Sequence, residues 1–149
     1  MIKTFLNIFF IASIVGCSTV KPNISNKPVE IPASLLGNFR DDYGINYTIN
    51  NRVWTQHPNI KYHLIEYNKE GQYFLAKNDD KNPSEPGLFT RIDVMDFEGM
   101  KPYLWGFCLT AYNAKTLEEA ASKLSADRNN PKKGCGGYPF SRMITAIEK

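Results

Sequence analysis

Motifs that would announce a chemistry are missing from these 149 residues. There is no Gly-x-Ser-x-Gly nucleophile elbow, no phosphate loop and no His-Glu-x-x-His zinc helix, which argues against the hydrolases built on those motifs. Histidine is scarce: His57 and His63 stand alone, without a cysteine ligand or paired carboxylate near them in sequence, a weak metal or catalytic case. The three cysteines, Cys17, Cys108 and Cys135, contain no Cys-x-x-Cys spacing, so neither a dithiol redox centre nor a zinc knuckle is expected. Charge of one sign is not in large excess. A net charge of +3 gives no reason to expect nucleic acid as a partner. No apolar run reaches the roughly 20 residues needed to cross a bilayer as a helix, and no internal repeat is evident.

The composition, 42% hydrophobic and 22% charged, is that of an ordinary globular chain, and the length suits a single domain. The first residues differ from the rest. Lys3 precedes a largely apolar stretch from Phe5 to Val15, then Gly16-Cys17, so that the junction reads Ile14-Val15-Gly16-Cys17. This tetrapeptide resembles the lipobox of bacterial lipoproteins, in which the leader is cut before the cysteine and that cysteine is acylated. The resemblance implies a signal peptide over 1–16, lipidation of Cys17 and a membrane partner reached through acyl chains, each buried CH₂ contributing about 0.8 kcal/mol. Ser18, in place of the Asp that holds such proteins at the inner membrane, implies the outer membrane facing the periplasm.

In an oxidising compartment Cys108 and Cys135 are the remaining pair, and a disulfide between them is expected. Residues 17–34 carry Pro22, Pro28 and Pro32 among Ser and Asn, which predicts a flexible lipidated tether. A single domain then occupies 35–149.

Within it, short runs of aromatic and β-branched residues separated by turn residues predict a mainly β fold, an antiparallel meander of about six strands, either a small barrel or a curled sheet. The expected hairpins are 45–50 with 53–56, 62–67 with 73–77, and 88–97 with 103–112. In the second, Gly71 is expected to take the left-handed turn position. A short C-terminal helix is predicted over 117–126 from the capping box Thr116-x-x-Glu119, with Leu117, Ala120, Ala121 and Leu124 on one side. A short closing strand is expected over 142–147.

The strand 88–97 is the most informative. Leu88, Thr90, Ile92 and Val94 share one face, while Arg91 and Asp93 sit among Phe89, Met95 and Phe97 on the other. That pair either lines a pocket for a polar ligand or forms a structural ion pair beneath the helix. Trp54 and Trp105 are the aromatic candidates for stacking on a ligand, unless the core takes them. The acidic groups Asp41-Asp42 and Asp79-Asp80 read as solvated turns or strand entries. Asp80-x-Asn82-x-Ser84 starts like a calcium loop, but Glu85 occupies the glycine position, and neither metal nor cofactor is expected.

The segments Asp41-Asp42-Tyr43-Gly44, Thr90-Arg91-Ile92-Asp93, Trp105-Gly106-Phe107-Cys108 and Pro139-Phe140-Ser141-Arg142-Met143 look like those of uncharacterised small exported bacterial proteins, a resemblance that implies no activity. Three functional readings follow. The first is a non-catalytic binding module of the envelope for a ligand, glycan or protein partner, with no catalytic residues. The alternatives are a small envelope hydrolase using Arg91, Asp93 and His63, and a structural docking lipoprotein.

Overall fold

A computed structural model describes residues 27–146. The leader, Cys17 and the tether up to residue 26 lie outside the described residues. Eight antiparallel strands run β1 Gly37–Asp41, β2 Asn46–Ile49, β3 Val53–Gln56, β4 Ile60–Asn68, β5 Tyr73–Asn78, β6 Phe89–Asp96, β7 Trp105–Ala114 and β8 Ser141–Thr145. Each pairs with the next, and β1 pairs with β8, so the meander closes into a barrel. Closure removes the free edges that an open sheet would leave.

The count of about six is therefore corrected to eight. The three expected hairpins are β2–β3, β4–β5 and β6–β7, and the closing strand is β8. The strand not foreseen is β1, whose inward positions are Phe39 and the carboxylate-bearing Asp41. A buried Asp breaks the apolar alternation by which a strand is recognised. It is tolerated because Asp41 accepts hydrogen bonds from the backbone N–H of Tyr43 and Ile45 and from the Tyr47 hydroxyl, at 3.0, 2.8 and 2.9 Å.

Alternation fills the interior. Phe39, Tyr47, Ile49, Trp54, Tyr62, Leu64, Phe74, Ile92, Val94, Trp105, Phe107 and Met143 form one continuous core. An eight-stranded barrel is just wide enough for its own side chains to fill, and here aromatic rings do so. Trp54 sits edge-on to Phe74, Trp105 and Phe107 at centroid separations of 5.7, 5.8 and 5.3 Å. Such pairs each add about 0.5–1.5 kcal/mol to simple burial. The packed body also begins upstream of Leu35: Val29 donates to the Asn51 carbonyl at 2.8 Å, and Val29 and Ile31 pack against the core.

A second layer covers the outside of β5, β6 and β7. Its helix, α1 Leu117–Ala121, is shorter than predicted. Thr116 caps it by accepting from the Glu119 N–H, while Glu119 accepts from the Lys115 N–H. The helix stops because Arg91 binds the carbonyls of Ala121 and Lys123 at 2.8 Å each, satisfying helix-end acceptors that another turn would have used. Leu124 consequently leaves the helical face and is 91% exposed. Leu75, Phe89, Ala114 and Ala120 form the small core beneath α1.

Turn chemistry also departs from expectation between β4 and β5. The left-handed residue is Gln72, with φ of 49°, and not Gly71. Gly71 is needed there for space, since a Cβ would lie 2.5 Å from the Tyr73 ring. The Cys108–Cys135 disulfide is present and ties the loop between α1 and β8 to the outer face of β7.

Candidate functional site

Arg91 and Asp93 project outward from β6 yet are only 3% and 0% exposed, because the strap that follows α1 lies over them. They face each other and not a cavity. Arg91 Nε and Nη2 donate to the two Asp93 carboxylate oxygens at 3.0 and 3.1 Å, and its guanidinium lies 3.8 Å from the Tyr73 ring centroid. Its remaining donors reach the Ala121 and Lys123 carbonyls and Ser125 Oγ. Asp93 also accepts from Thr110 Oγ1 and from Arg128 Nη2, and Arg128 donates further to the carbonyls of Gly71, Gln72 and Val94. All the Arg91 donors and both Asp93 oxygens are thus engaged, and together with Arg128 they hold the strap on the barrel.

Trp54 and Trp105, each 1% exposed, sit inside the barrel, where no ligand can stack on them without unfolding it. His57 lies on the outer wall, with Nε2 2.8 Å from Thr48 Oγ1, and Asn38 accepts from the same hydroxyl at 2.9 Å. The backing carboxylate that would make this pair a nucleophile and base is not among these contacts.

What the fold does assemble is a lateral cleft of about 420 Å³ on the outer wall, lined by Lys27, Arg52, Val53, His63, Leu64, Lys77 and residues Asn78–Lys81. Cross-strand register creates it. Val53 lies opposite His63, and His63 opposite Lys77, so residues far apart in sequence form one row across β3, β4 and β5. The turn after β5 then folds over the end of the row. Asp79 donates its backbone N–H to the Lys61 carbonyl at 3.0 Å, and Asn82 holds both backbone groups of Lys61 at 2.9 Å.

His63 Nε2 lies 2.7 Å from Asp79 Oδ2, and Asp79 Oδ1 accepts from the Lys81 N–H at 2.9 Å. The Lys81 N–H first and His63 second hold the Asp79 carboxyl below its ordinary range. A carboxylate can only accept, so Nε2 is the protonated nitrogen of His63. Lys77 Nζ is 3.8 Å from Asp80. Among the described residues the Arg52 guanidinium and the Lys81 ammonium carry no ion pair. Lys27, Arg52, Lys77 and Lys81 thus share the lining of the cleft with Asp79 and Asp80.

Sequence reasoning met His63, Asp79 and Asp80 only as weak single candidates and did not single out Arg52, Lys77 or Lys81 for a site. Their signal lies in strand register, which composition does not reveal. A second concavity, about 620 Å³, lies between the disulfide and the strap, with exposed Leu124 and Tyr138 at its rim. It has no comparable focus of charge. Comparison with protein-family models, with curated proteins and with solved structures finds no match.

Proposed function

We propose that this protein is an envelope-anchored lipoprotein whose barrel is a non-catalytic binding module, receiving its partner on the outer wall at the cleft of Arg52, His63, Lys77 and Lys81. The observation that carries the reading is the contrast between a barrel interior packed with aromatic rings and an open, charged cleft beside it. With the barrel interior packed by its own side chains, recognition falls to the surface, and a charged concavity there is where a ligand gains most.

Other features support the anchored setting. The lipobox-like Ile14-Val15-Gly16-Cys17 supplies the acylation site, and a disulfide between the other two cysteines suits an oxidising compartment. Cys17 stands ten residues before Lys27, which lines the cleft. That length of chain reaches no more than about 35 Å, keeping the cleft close to the lipid headgroups. The hydrolase reading has less support. Arg91 and Asp93 are consumed by each other, and among the described residues the cleft lining contains no Ser, Thr or Cys to serve as nucleophile.

Two measurements test the proposal. Radiolabelled palmitate should mark the wild-type chain and not Cys17→Ser; equal labelling, or none in either, would remove the anchor. Native mass spectrometry of the protein captured from solubilised envelopes should show a retained species that Arg52→Ala and Lys77→Ala release. Retention unchanged in both variants would place recognition elsewhere.

A further inference from the structure

We infer that the end of the barrel from which the tether departs rests on the lipid surface, with Leu36 and Leu104 meeting the headgroup region of zwitterionic lipid. This rests on the proposed anchoring and goes further by naming the face that meets the membrane and the lipid chemistry it takes. Topology, exposure and charge each argue for it.

Topology comes first. In a closed meander of antiparallel strands the β2–β3, β4–β5 and β6–β7 turns share one end with the start of β1 and the finish of β8. Val29 donates to the Asn51 carbonyl of the β2–β3 turn at 2.8 Å, so the chain leading back to Cys17 leaves from that same end. Leu36, just before β1, and Leu104, in the β6–β7 turn, stand there too. They are 37% and 47% exposed, and with Ala33 they line a hollow of about 360 Å³. Two leucines are a small patch for a partner arriving from free solution. Acylation of Cys17 makes the contact with lipid intramolecular, and such a contact needs little affinity of its own.

Charge sets the lipid class. Arg52, Lys69 and Lys101 at this end are interleaved with Glu30, Glu70, Asp96 and Glu98, so neither sign commands it and an anionic surface gains nothing over a neutral one. Asp96 lines the same hollow, which keeps the contact at headgroup depth, where a carboxylate stays hydrated. Tyr43, also exposed, lies in the β1–β2 turn at the far end and provides the contrast.

The acylated protein on phosphatidylcholine vesicles tests this. With bromine carried on the upper acyl chain, Leu36→Trp and Leu104→Trp should each lose at least twice the fraction of tryptophan emission that wild type or Tyr43→Trp loses, since Trp54 and Trp105 lie inside the barrel. Adding phosphatidylglycerol should leave that difference unchanged. Hydrogen exchange on the wild-type chain gives a reading free of new side chains. Amides of 33–37 and 99–104 should slow severalfold on vesicles relative to the Cys17→Ser chain in water, those of 42–45 should not, and Leu36→Ser combined with Leu104→Ser should abolish the slowing.

If palmitate marks Cys17 but the end reporters are quenched no more than Tyr43→Trp, the inference falls and the anchored reading stands. Quenching of Leu124→Trp above both end reporters also overturns it, because the strap wall then faces the lipid. So does equal protection of 33–37 and 99–104 in the Cys17→Ser chain in water, which means that the chain itself covers the hollow. Quenching that requires phosphatidylglycerol overturns the lipid class. If palmitate never marks the protein, added vesicles decide: quenching of Leu36→Trp and Leu104→Trp keeps the docking face and discards the anchor, and no quenching discards both.

Discussion

Arg91 and Asp93, two positions apart on the outer face of β6, close a two-pronged ion pair that also carries the strap following α1. Neighbours at i and i+2 on a strand ordinarily point into solvent side by side. Here the second layer removes that solvent, and Arg128 joins from the strap itself at 3.2 Å.

Breaking this network should be costly because it leaves charge without a partner. Asp93→Asn strands two guanidinium groups, one of them buried, and should lower unfolding stability by about 3–5 kcal/mol. Urea denaturation with an unchanged slope measures it. Arg91→Met should, in addition, raise amide hydrogen exchange across 117–128 more than in the barrel strands. Uniform exchange in both regions would deny the strap its dependence on Arg91.

The disulfide closes a separation of 27 residues. Replacing Cys108 and Cys135 together by Ala should lower stability by about 3.5 kcal/mol through the added freedom of the unfolded chain. The barrel should remain folded, since its ladder does not depend on the loop, and near-ultraviolet circular dichroism should stay native in form. Loss of the folded spectrum at 25 °C would contradict this.

Trp54 and Trp105 serve as internal reporters. With both rings buried, native emission should be blue-shifted and resist quenching by iodide, becoming quenchable only at the unfolding transition. Trp54→Ala should cost about 3–5 kcal/mol, because four ring contacts collapse around one cavity. Ready quenching in the native state would mean an open barrel.

Alkali should destabilise the fold. Burial first, and then the Asp41 carboxylate that its hydroxyl touches, pushes the Tyr47 phenol well above its ordinary value near 10. Burial raises Tyr62 and Tyr67 in the same direction. The unfolded chain therefore releases these protons at lower pH than the folded one. Stability is intact below pH 10 and declines as pH rises beyond it, while the folded phenols stay neutral. Denaturation at pH 8 to 11.5 should show the fall, with a shallower slope in Tyr47→Phe.

At the cleft, His63→Ala should let the Asp79 carboxyl titrate at higher pH. The rise is partial, since the Lys81 N–H is the larger cause of its depression and remains. Carboxyl carbon resonances followed against pH report it directly. Because the folded carboxyl lies below its ordinary range, its contribution is present above that range and lost on acidification through it. No movement in the variant would mean that the imidazole does not hold Asp79.

Local patterning in the sequence decided a good deal. Alternation of Tyr47 and Ile49, and of Thr90, Ile92 and Val94, specified strands and their inner faces, and the turn residues between them specified hairpins. Thr116 and Glu119 marked where the helix begins. With Cys17 read as the acylation site, Cys108 and Cys135 pointed to each other. Three-dimensional structure decided the rest, for reasons of distance along the chain. Whether a meander closes depends on β1 meeting β8 across more than a hundred residues, and β1 hides its signal behind Asp41. Where the helix ends depends on Arg91, thirty residues earlier, whose donors compete for its carbonyls. The cleft exists because register sets Val53, His63 and Lys77 side by side, and a one-residue slip in either ladder would scatter them to opposite faces.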